Sequence, residues 1–169
     1  MLRTILRVLA IGVVVLAVGV AATLFLARFH DGPLGPIPGG PFEGEAEPQA
    51  PRDWGFVDRV PTVELQVGRE EPRSVTTWVV QHAGEVYVPS GLAARKTWPH
   101  VAEREPMVLL RVDGRIFARR AVRVRDPDLR ARLSAILQRK YELGEGAPGA
   151  GEDTWWFRLD PPGAGGSAP

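Results

Sequence analysis

An apolar run near the N-terminus constrains this chain more than any other feature. From Val8 to Ala27 no residue carries a charge, and almost all are apolar. A helix rises about 1.5 Å per residue, so roughly 20 residues cross the hydrocarbon core of a bilayer, which is about 30 Å thick. The run therefore predicts a membrane-spanning helix. We assign residues 1–30 to an N-terminal membrane anchor that binds the lipid bilayer through residues 8–27.

Basic residues near the ends of this run favour one orientation. Arg3 and Arg7 precede it, and Arg28 follows it. Positive charge accumulates on the cytoplasmic side, so we expect a single-pass protein whose domain lies on the extracytoplasmic (periplasmic) side. A cleaved signal peptide is the alternative. Its apolar region is usually only about 7–15 residues long, although the small residues at 19–22 keep cleavage open.

Composition limits the chemistry of the remaining chain. Once the anchor and a Pro/Gly-rich stretch are set aside, about 110 residues remain, enough for one domain. The absence of cysteine excludes thiolate nucleophiles, disulfides and Cys-ligated metals. Three widely spaced histidines give no metal-ligand pattern. A net charge of +1, from 21 basic and 20 acidic residues, gives no reason to expect nucleic acid as a partner.

Two segments rich in proline and glycine flank the predicted domain. Residues 31–53 disfavour both helix and sheet and predict an extended linker that lifts the domain off the bilayer. The alternative is that residues 33–41 wrap the domain as an ordered arm. Residues 161–169 predict a flexible tail. We assign residues 54–160, between these segments, to a single folded domain.

Alternating and β-branched stretches predict short strands in this domain. Residues 62–67 alternate strictly between apolar and polar, as a half-buried strand does. Further strands are predicted over 74–81, 86–89, 107–112, 115–125 and 154–159, with turns at 82–85 and at Asp113-Gly114. The strand 115–125 carries five arginines. We expect them to form an ordinary solvent-exposed face, with contact to anionic lipid headgroups as the alternative.

Helical signals occur in two places. Asp126 is a good N-cap and Pro127 suits the first helical position, so a helix is expected to run from here to Gly144. Its apolar face comprises Leu129, Leu133, Ile136 and Leu137. A second, short helix is predicted within residues 92–104, starting near Pro99. Strands and helices do not alternate regularly, so we predict a mainly β (α+β) fold, a small antiparallel barrel with one or two packed helices.

Basic, hydroxyl and aromatic side chains are concentrated in residues 73–78 and 89–98. Cross-strand pairing of these two segments would bring the side chains together. Guanidinium and ammonium groups suit phosphate, and hydroxyls add hydrogen bonds. No glycine-rich phosphate loop and no GxSxG elbow is present. The sequence thus predicts a pocket that accepts an anion, although the same residues are also typical of surface cations and core tryptophans.

The order of these features resembles the split-barrel flavin-binding superfamily, which includes pyridoxamine-phosphate-oxidase-like and deazaflavin-dependent nitroreductase-like proteins. The resemblance covers about residues 54–143. It rests on Arg-x-x-x-Thr-Trp entering a strand, on HAGEVYVPS followed by Lys96, and on the stretch WPHVAEREPMVLLRVDGRIFARRAVRVRD. It implies an antiparallel split β-barrel, a homodimer with its cofactor between subunits, and FMN or an F420-type deazaflavin as that cofactor.

The resemblance also implies site residues. Arg73 and Lys96 would contact the cofactor phosphate. The full set of cofactor-binding residues that it implies is Arg73, Thr76, Thr77, Trp78, Ser90, Lys96 and Trp98. No catalytic residue and no metal ligand is implied. We therefore expect a membrane-anchored, oxidoreductase-like protein that binds a flavin or deazaflavin for redox chemistry. The alternative is a non-catalytic envelope interaction module that has lost the cofactor.

Overall fold

The computed structural model describes residues 2–144, 151 and 153–163. In chain order its helices and strands are α1 (Leu2–Ala27), β1 (Val63–Val67), β2 (Arg73–Thr77), β3 (Val80–His82), β4 (Glu85–Ser90), α2 (Thr97–Arg104), β5 (Met107–Val112), β6 (Arg115–Val124), α3 (Pro127–Lys140) and β7 (Trp155–Asp160). Short 3-10 turns lie at Gly55–Arg59 and Ala93–Arg95.

These strands form one antiparallel sheet that curls into an open barrel. Their order is β2-β1-β5-β6-β7-β4-β3. The barrel is drawn together across its gap, where the Thr77 hydroxyl donates a 2.9 Å hydrogen bond to the carbonyl oxygen of Pro89 in β4. The predicted fold, a small antiparallel split barrel with packed helices, is confirmed.

The alternating sequence of β1 builds the barrel core. Val63, Leu65 and Val67 are buried, whereas Glu64 and Gln66 point outward. Leu65 packs in a cluster with the inward residues of the neighbouring strands, which include Leu110, Phe117, Phe157 and Leu159. Burying each such side chain contributes about 1.5–3 kcal/mol, so this pattern fixes which face of the sheet turns inward.

Helix α3 covers a second, smaller cluster. Leu133 and Leu137 are buried against Val80, Tyr87 and Trp156. The helix begins where the sequence predicts, with the Asp126 carboxylate accepting a 2.9 Å hydrogen bond from the Asp128 amide. It ends at Lys140 rather than at Gly144, because Glu142 adopts a left-handed φ of 51°. Most of the predicted tail lies outside the described residues.

The prediction of one continuous strand over 74–81 is wrong. The chain leaves β2 after Thr77 and enters β3 at Val80, and these two strands occupy opposite edges of the sheet. The last residue of α3, Lys140, and the next residue, Tyr141, stabilise this break through hydrogen bonds to Val79. The Tyr141 hydroxyl accepts from the Val79 amide and donates to the Val79 carbonyl, both at 3.1 Å, and Lys140 Nζ donates to that carbonyl at 2.8 Å. The short helix α2 also begins two residues before the expected Pro99.

The expectation of an exposed arginine face on residues 115–125 holds for Arg115 and Arg125 but is wrong for Arg119. Arg119 is only 2% exposed, and its Nε donates to the Leu159 carbonyl at 2.9 Å. Burial lowers the pKa of Arg119. Arg123 lies 3.3 Å from the ring centre of Trp155 and donates to Glu103 at 2.9 Å. Arg119 shares the core-facing side of β6 with Phe117 and Ala121, so it follows the inward pattern of the strand.

Residues 31–43, which we call the arm, lie against the outer side of β1 and β5. Asp31 accepts a 2.6 Å hydrogen bond from Arg111, which also pairs with Glu64. The amide of Phe42 donates to the Gln66 side chain at 2.6 Å, and the Phe42 ring lies under the Arg111 guanidinium at 4.3 Å. Arg111 thus connects both ends of the arm to the sheet.

The middle of the arm follows the free edge of β2. Gly39 and Ser74 exchange backbone hydrogen bonds of 2.9 and 3.3 Å. The Ser74 hydroxyl donates to the Gly40 carbonyl at 2.7 Å, and the Thr76 hydroxyl donates to the Gly35 carbonyl at 2.8 Å. The arm also packs closely on itself here, because a Cβ added at Gly39 would lie 1.7 Å from the backbone oxygen of Gly32.

Helix α1 precedes the arm. Its segment Arg3–Ala27 is long and apolar enough to cross a membrane, with a mean hydropathy of 2.8, and its most apolar stretch is not buried against the barrel. A signal sequence near an N-terminus has the same properties. The helix end meets the arm directly, since the Gly40 amide donates to the His30 carbonyl at 3.1 Å.

Candidate functional site

Two adjoining cavities open where β2 diverges from β4. They have volumes of about 440 and 360 Å³. The larger lies between β2 and α2, and the smaller lies beside the link between β2 and β4. Six of the seven predicted site residues line them, namely Arg73, Thr76, Thr77, Trp78, Lys96 and Trp98. The two segments meet across the barrel gap and not, as predicted, by strand pairing, because β2 pairs with β1.

Two cations dominate the electrostatics of this site. Arg73 is half-buried at the start of β2, and Lys96 is exposed between the 3-10 turn and α2. Both line the larger cavity, and Lys96 lines the smaller one too. Within the described part of the chain neither has an ion-pair partner, although Glu71 also lines the larger cavity. The arrangement can therefore accept an anionic group.

Both threonine hydroxyls already donate hydrogen bonds within the protein. Thr76 donates its hydroxyl hydrogen to Gly35 in the arm, and Thr77 donates to Pro89. A hydroxyl has one hydrogen to donate and can accept two more bonds, whereas a phosphate needs donors. In this conformation both threonines can only accept from a ligand, so among the predicted hydroxyl and basic residues at the cavities Arg73 and Lys96 are the donors for a bound anion.

Ser90 is the predicted residue that the structure does not bring to the site. It is 1% exposed, and it lies opposite Trp155 in the pairing of β4 with β7. Its side chain lines neither of the two cavities. Its hydroxyl oxygen has no hydrogen-bond partner among the described residues.

The aromatic residues form the walls of the cavities. Trp98 is nearly buried against Phe157, with ring centres 5.6 Å apart. Trp78 stacks on Tyr141 at 5.1 Å. Burial raises the pKa of Tyr141, which keeps its hydroxyl protonated and bonded to the break between β2 and β3. Both tryptophans are therefore fixed by packing, and each presents only part of its surface to a ligand.

The arm supplies cavity walls that our site prediction did not include. Gly35 and Pro36 line the smaller cavity, and Pro36 and Pro38 line the larger. No local motif signals this role. The only pointer in the sequence is the high proline and glycine content of the segment, which led to the arm alternative. In the described residues no group of three or more potential metal ligands comes together.

Comparison with known proteins gives a match only among solved structures. No known protein family matches the sequence, and no curated protein matches it. A conserved hypothetical protein of Mycobacterium tuberculosis superposes with a TM-score of 0.53 at 16% identity, covering 70% of this chain and 86% of the other. The chain has the split-barrel fold.

Two further solved structures are similar at lower scores. A pyridoxamine 5′-phosphate oxidase-like protein of Listeria innocua gives a TM-score of 0.48 at 15% identity, covering 63% of this chain and 88% of that one. A structure described as an F420 reductase gives 0.47 at 15% identity, covering 66% and 95%. At these identities the likeness concerns the fold alone.

Proposed function

We propose that this chain is a membrane-anchored split-barrel protein that binds a phosphorylated flavin or deazaflavin, with the cofactor phosphate at Arg73 and Lys96. One observation carries the proposal. These two cations come from separate elements, line the same cavity, and have no ion-pair partner among the described residues. A guanidinium fork and an ammonium are the groups that proteins use most to hold phosphate.

The remaining walls suit a flat, partly apolar ring. Val75 from β2 and Trp98 and Val101 from α2 line the larger cavity, and Trp78 lines the smaller one. Both volumes fall within the range of about 300–1,000 Å³ that is typical of small-molecule sites. A bound flavin or deazaflavin supplies hydride or electron transfer, and the protein contributes binding and orientation.

The anchor and the oligomeric state are part of the same proposal. Residues 8–27 span the bilayer, and the barrel lies on the extracytoplasmic side. We expect the chain to resist alkaline carbonate extraction. We also expect protease added to the outer face of the membrane to digest the barrel. Light scattering of the detergent-solubilised full chain measures whether it forms the expected homodimer.

A titration of the full chain in detergent tests cofactor binding. FMN and the deazaflavin are added separately, and binding is followed by absorbance and fluorescence. Each charge-assisted hydrogen bond contributes about 1.5–3 kcal/mol, so replacing both Arg73 and Lys96 by Ala weakens binding by about 100-fold or more. The matched control replaces Arg59 and Arg104, two exposed arginines that line neither cavity, and leaves binding unchanged.

One observation favours the alternative of an interaction module without cofactor chemistry. The arm occupies the mouth of the site, since Pro36 lines both cavities and Gly35 holds the Thr76 hydroxyl. If neither FMN nor the deazaflavin binds the unmodified, folded chain, this alternative replaces the cofactor proposal. If the double variant binds either cofactor as well as the unmodified chain does, the proposed phosphate site is wrong.

A further inference from the structure

We propose that the mouth of the smaller cavity rests in the headgroup layer of the bilayer, where residues 34–38, the tip of the arm, and Leu92 contact lipid. The inference rests on the proposed membrane anchor. It goes beyond that anchor because it assigns a second lipid contact, made by the barrel itself, and gives the cavity an orientation.

The tip of the arm is uncharged and exposed. No residue from Gly32 to Phe42 is charged. Leu34 is 39% exposed, and it exchanges backbone hydrogen bonds of 3.0 and 3.1 Å with Ile37, which closes the tip into a tight turn. A closed turn leaves few free backbone groups, so an apolar turn of this kind enters the interfacial layer at a low desolvation cost.

Leu92 is strained without being buried. It has a φ of 54° and is 50% exposed. The left-handed conformation costs a non-glycine residue about 1–2 kcal/mol, and burial of the side chain does not offset this cost here. Such strain is typical of functional positions. Leu92 lines the smaller cavity together with Gly35 and Pro36, so the arm tip and Leu92 flank one mouth.

The contacts of the arm keep this mouth near the membrane. The Gly40 amide bonds to the carbonyl of His30, three residues after the end of α1. A Cβ added at Gly40 would lie 2.4 Å from the carbonyl oxygen of Arg28. An extended chain spans at most about 3.6 Å per residue, so Pro38 lies within about 7 Å of this contact.

The charges around the mouth are complementary to anionic headgroups. Arg28, Arg95 and Lys96 are exposed. Lys96 lines the same cavity as Leu92, and Arg95 precedes Lys96 in the chain. The Arg28 backbone lies next to Gly40 of the arm. Each basic residue near an anionic membrane surface contributes about 1 kcal/mol of attraction. Apolar side chains with basic neighbours are the usual composition of surfaces that lie in the interface.

The absence of cysteine allows a direct test in the full chain. Single variants Leu34→Cys and Leu92→Cys carry an environment-sensitive fluorophore and are reconstituted, one copy per nanodisc, in phosphatidylcholine with phosphatidylglycerol and a headgroup nitroxide lipid. The control is Met107→Cys. Met107 is 53% exposed and begins β5, at the end of the strand away from the Arg111 that holds the arm.

Quenching several-fold stronger at positions 34 and 92 than at position 107 is the expected result. Equal quenching at the three positions overturns the inference, and the single copy per disc ensures that no second chain covers the labels. Carbonate extraction of sedimentable membranes that contain the same variants separates the two proposals. A chain that resists extraction but shows equal quenching contradicts only the lipid contact of the barrel, whereas an extractable chain contradicts the anchor and this inference together.

Discussion

Asp31 accepts a 2.6 Å hydrogen bond from Nη1 of Arg111 and thereby joins the start of the arm to β5, 80 positions further along the chain. Arg111 also bonds to Glu64. Burial alone would lower the pKa of Arg111, but its hydrogen bonds to Glu64 and Asp31 outweigh burial and raise it. The guanidinium therefore stays charged over the whole accessible pH range, so the acid response of this contact comes from Asp31.

The pH dependence of the arm follows from Asp31. The Glu43 amide donates to the Asp31 carboxylate, and this bond, helped by Arg111, holds the pKa of Asp31 below its ordinary value of 3.8. Because the pKa of Asp31 is lower in the folded chain than in the unfolded chain, its carboxylate stabilises the attached arm at a pH above the unfolded-state pKa. This stabilisation is lost as the pH falls through the folded-state pKa. We expect the protection of residues 31–43 against hydrogen exchange, measured relative to the intrinsic rate at each pH, to fall below about pH 3.8. In Asp31→Asn this protection is already lower at neutral pH and changes less on acidification; a variant with the same acid transition as the unmodified chain would exclude Asp31 as its cause.

A methyl group at Gly39 is predicted to detach the arm. The Cβ of Gly39→Ala would lie 1.7 Å from the carbonyl oxygen of Gly32, and overpacking of this kind costs about 1–3 kcal/mol. Limited proteolysis within residues 31–43 should therefore become faster, while the barrel keeps its thermal transition. Gly144→Ala is the matched control, because nothing lies within 4 Å of its added Cβ. Equal proteolysis of both variants would contradict the close packing of the arm.

The Tyr141 hydroxyl is predicted to stabilise the break between β2 and β3. Tyr141→Phe removes the acceptor of the buried Val79 amide. An unpaired buried amide costs about 1–3 kcal/mol, so the free energy of unfolding should fall by this amount in chemical denaturation. Lys140 still donates to the Val79 carbonyl in this variant. A change of a few tenths of a kcal/mol or less would mean that water replaces the hydroxyl.

Leu92→Gly is predicted to stabilise the fold. Glycine adopts a φ of 54° without the steric cost that leucine has there, and the lost side chain is half-exposed. The gain in the free energy of unfolding is up to about 1 kcal/mol, because the greater freedom of glycine in the unfolded chain offsets part of the relief. Differential scanning calorimetry of the two proteins in the same detergent measures it. A lower transition temperature in the variant would show that the Leu92 side chain packs more than its exposure indicates.

Local patterns predicted the elements whose causes are local. The alternation of Val63 to Val67 marks β1, and the Asp113-Gly114 dipeptide takes positive φ at both positions, 49° and 75°, as its hairpin turn requires. The cap at Asp126 also lies where expected. In each case the preference of a residue is decided by neighbours within a few positions of the chain.

Features set by distant contacts could not be predicted. The break at Val79 depends on a hydroxyl 62 residues away, and Arg119 is satisfied by a carbonyl 40 residues away. The candidate site shows both cases. Its cations and tryptophans are apparent from residue type, but its walls at Gly35 and Pro36 exist only because the arm folds back across the edge of the sheet.

The position of the arm along β2 has a practical consequence for making a soluble form. This strand ends the sheet, and a bare border strand pairs readily with foreign chains and promotes aggregation. Here Gly39 occupies the backbone groups of Ser74. A truncated chain that begins after residue 44 lacks Gly39, exposes the edge of β2 and is expected to aggregate. A truncated chain that begins at Asp31 keeps this edge paired.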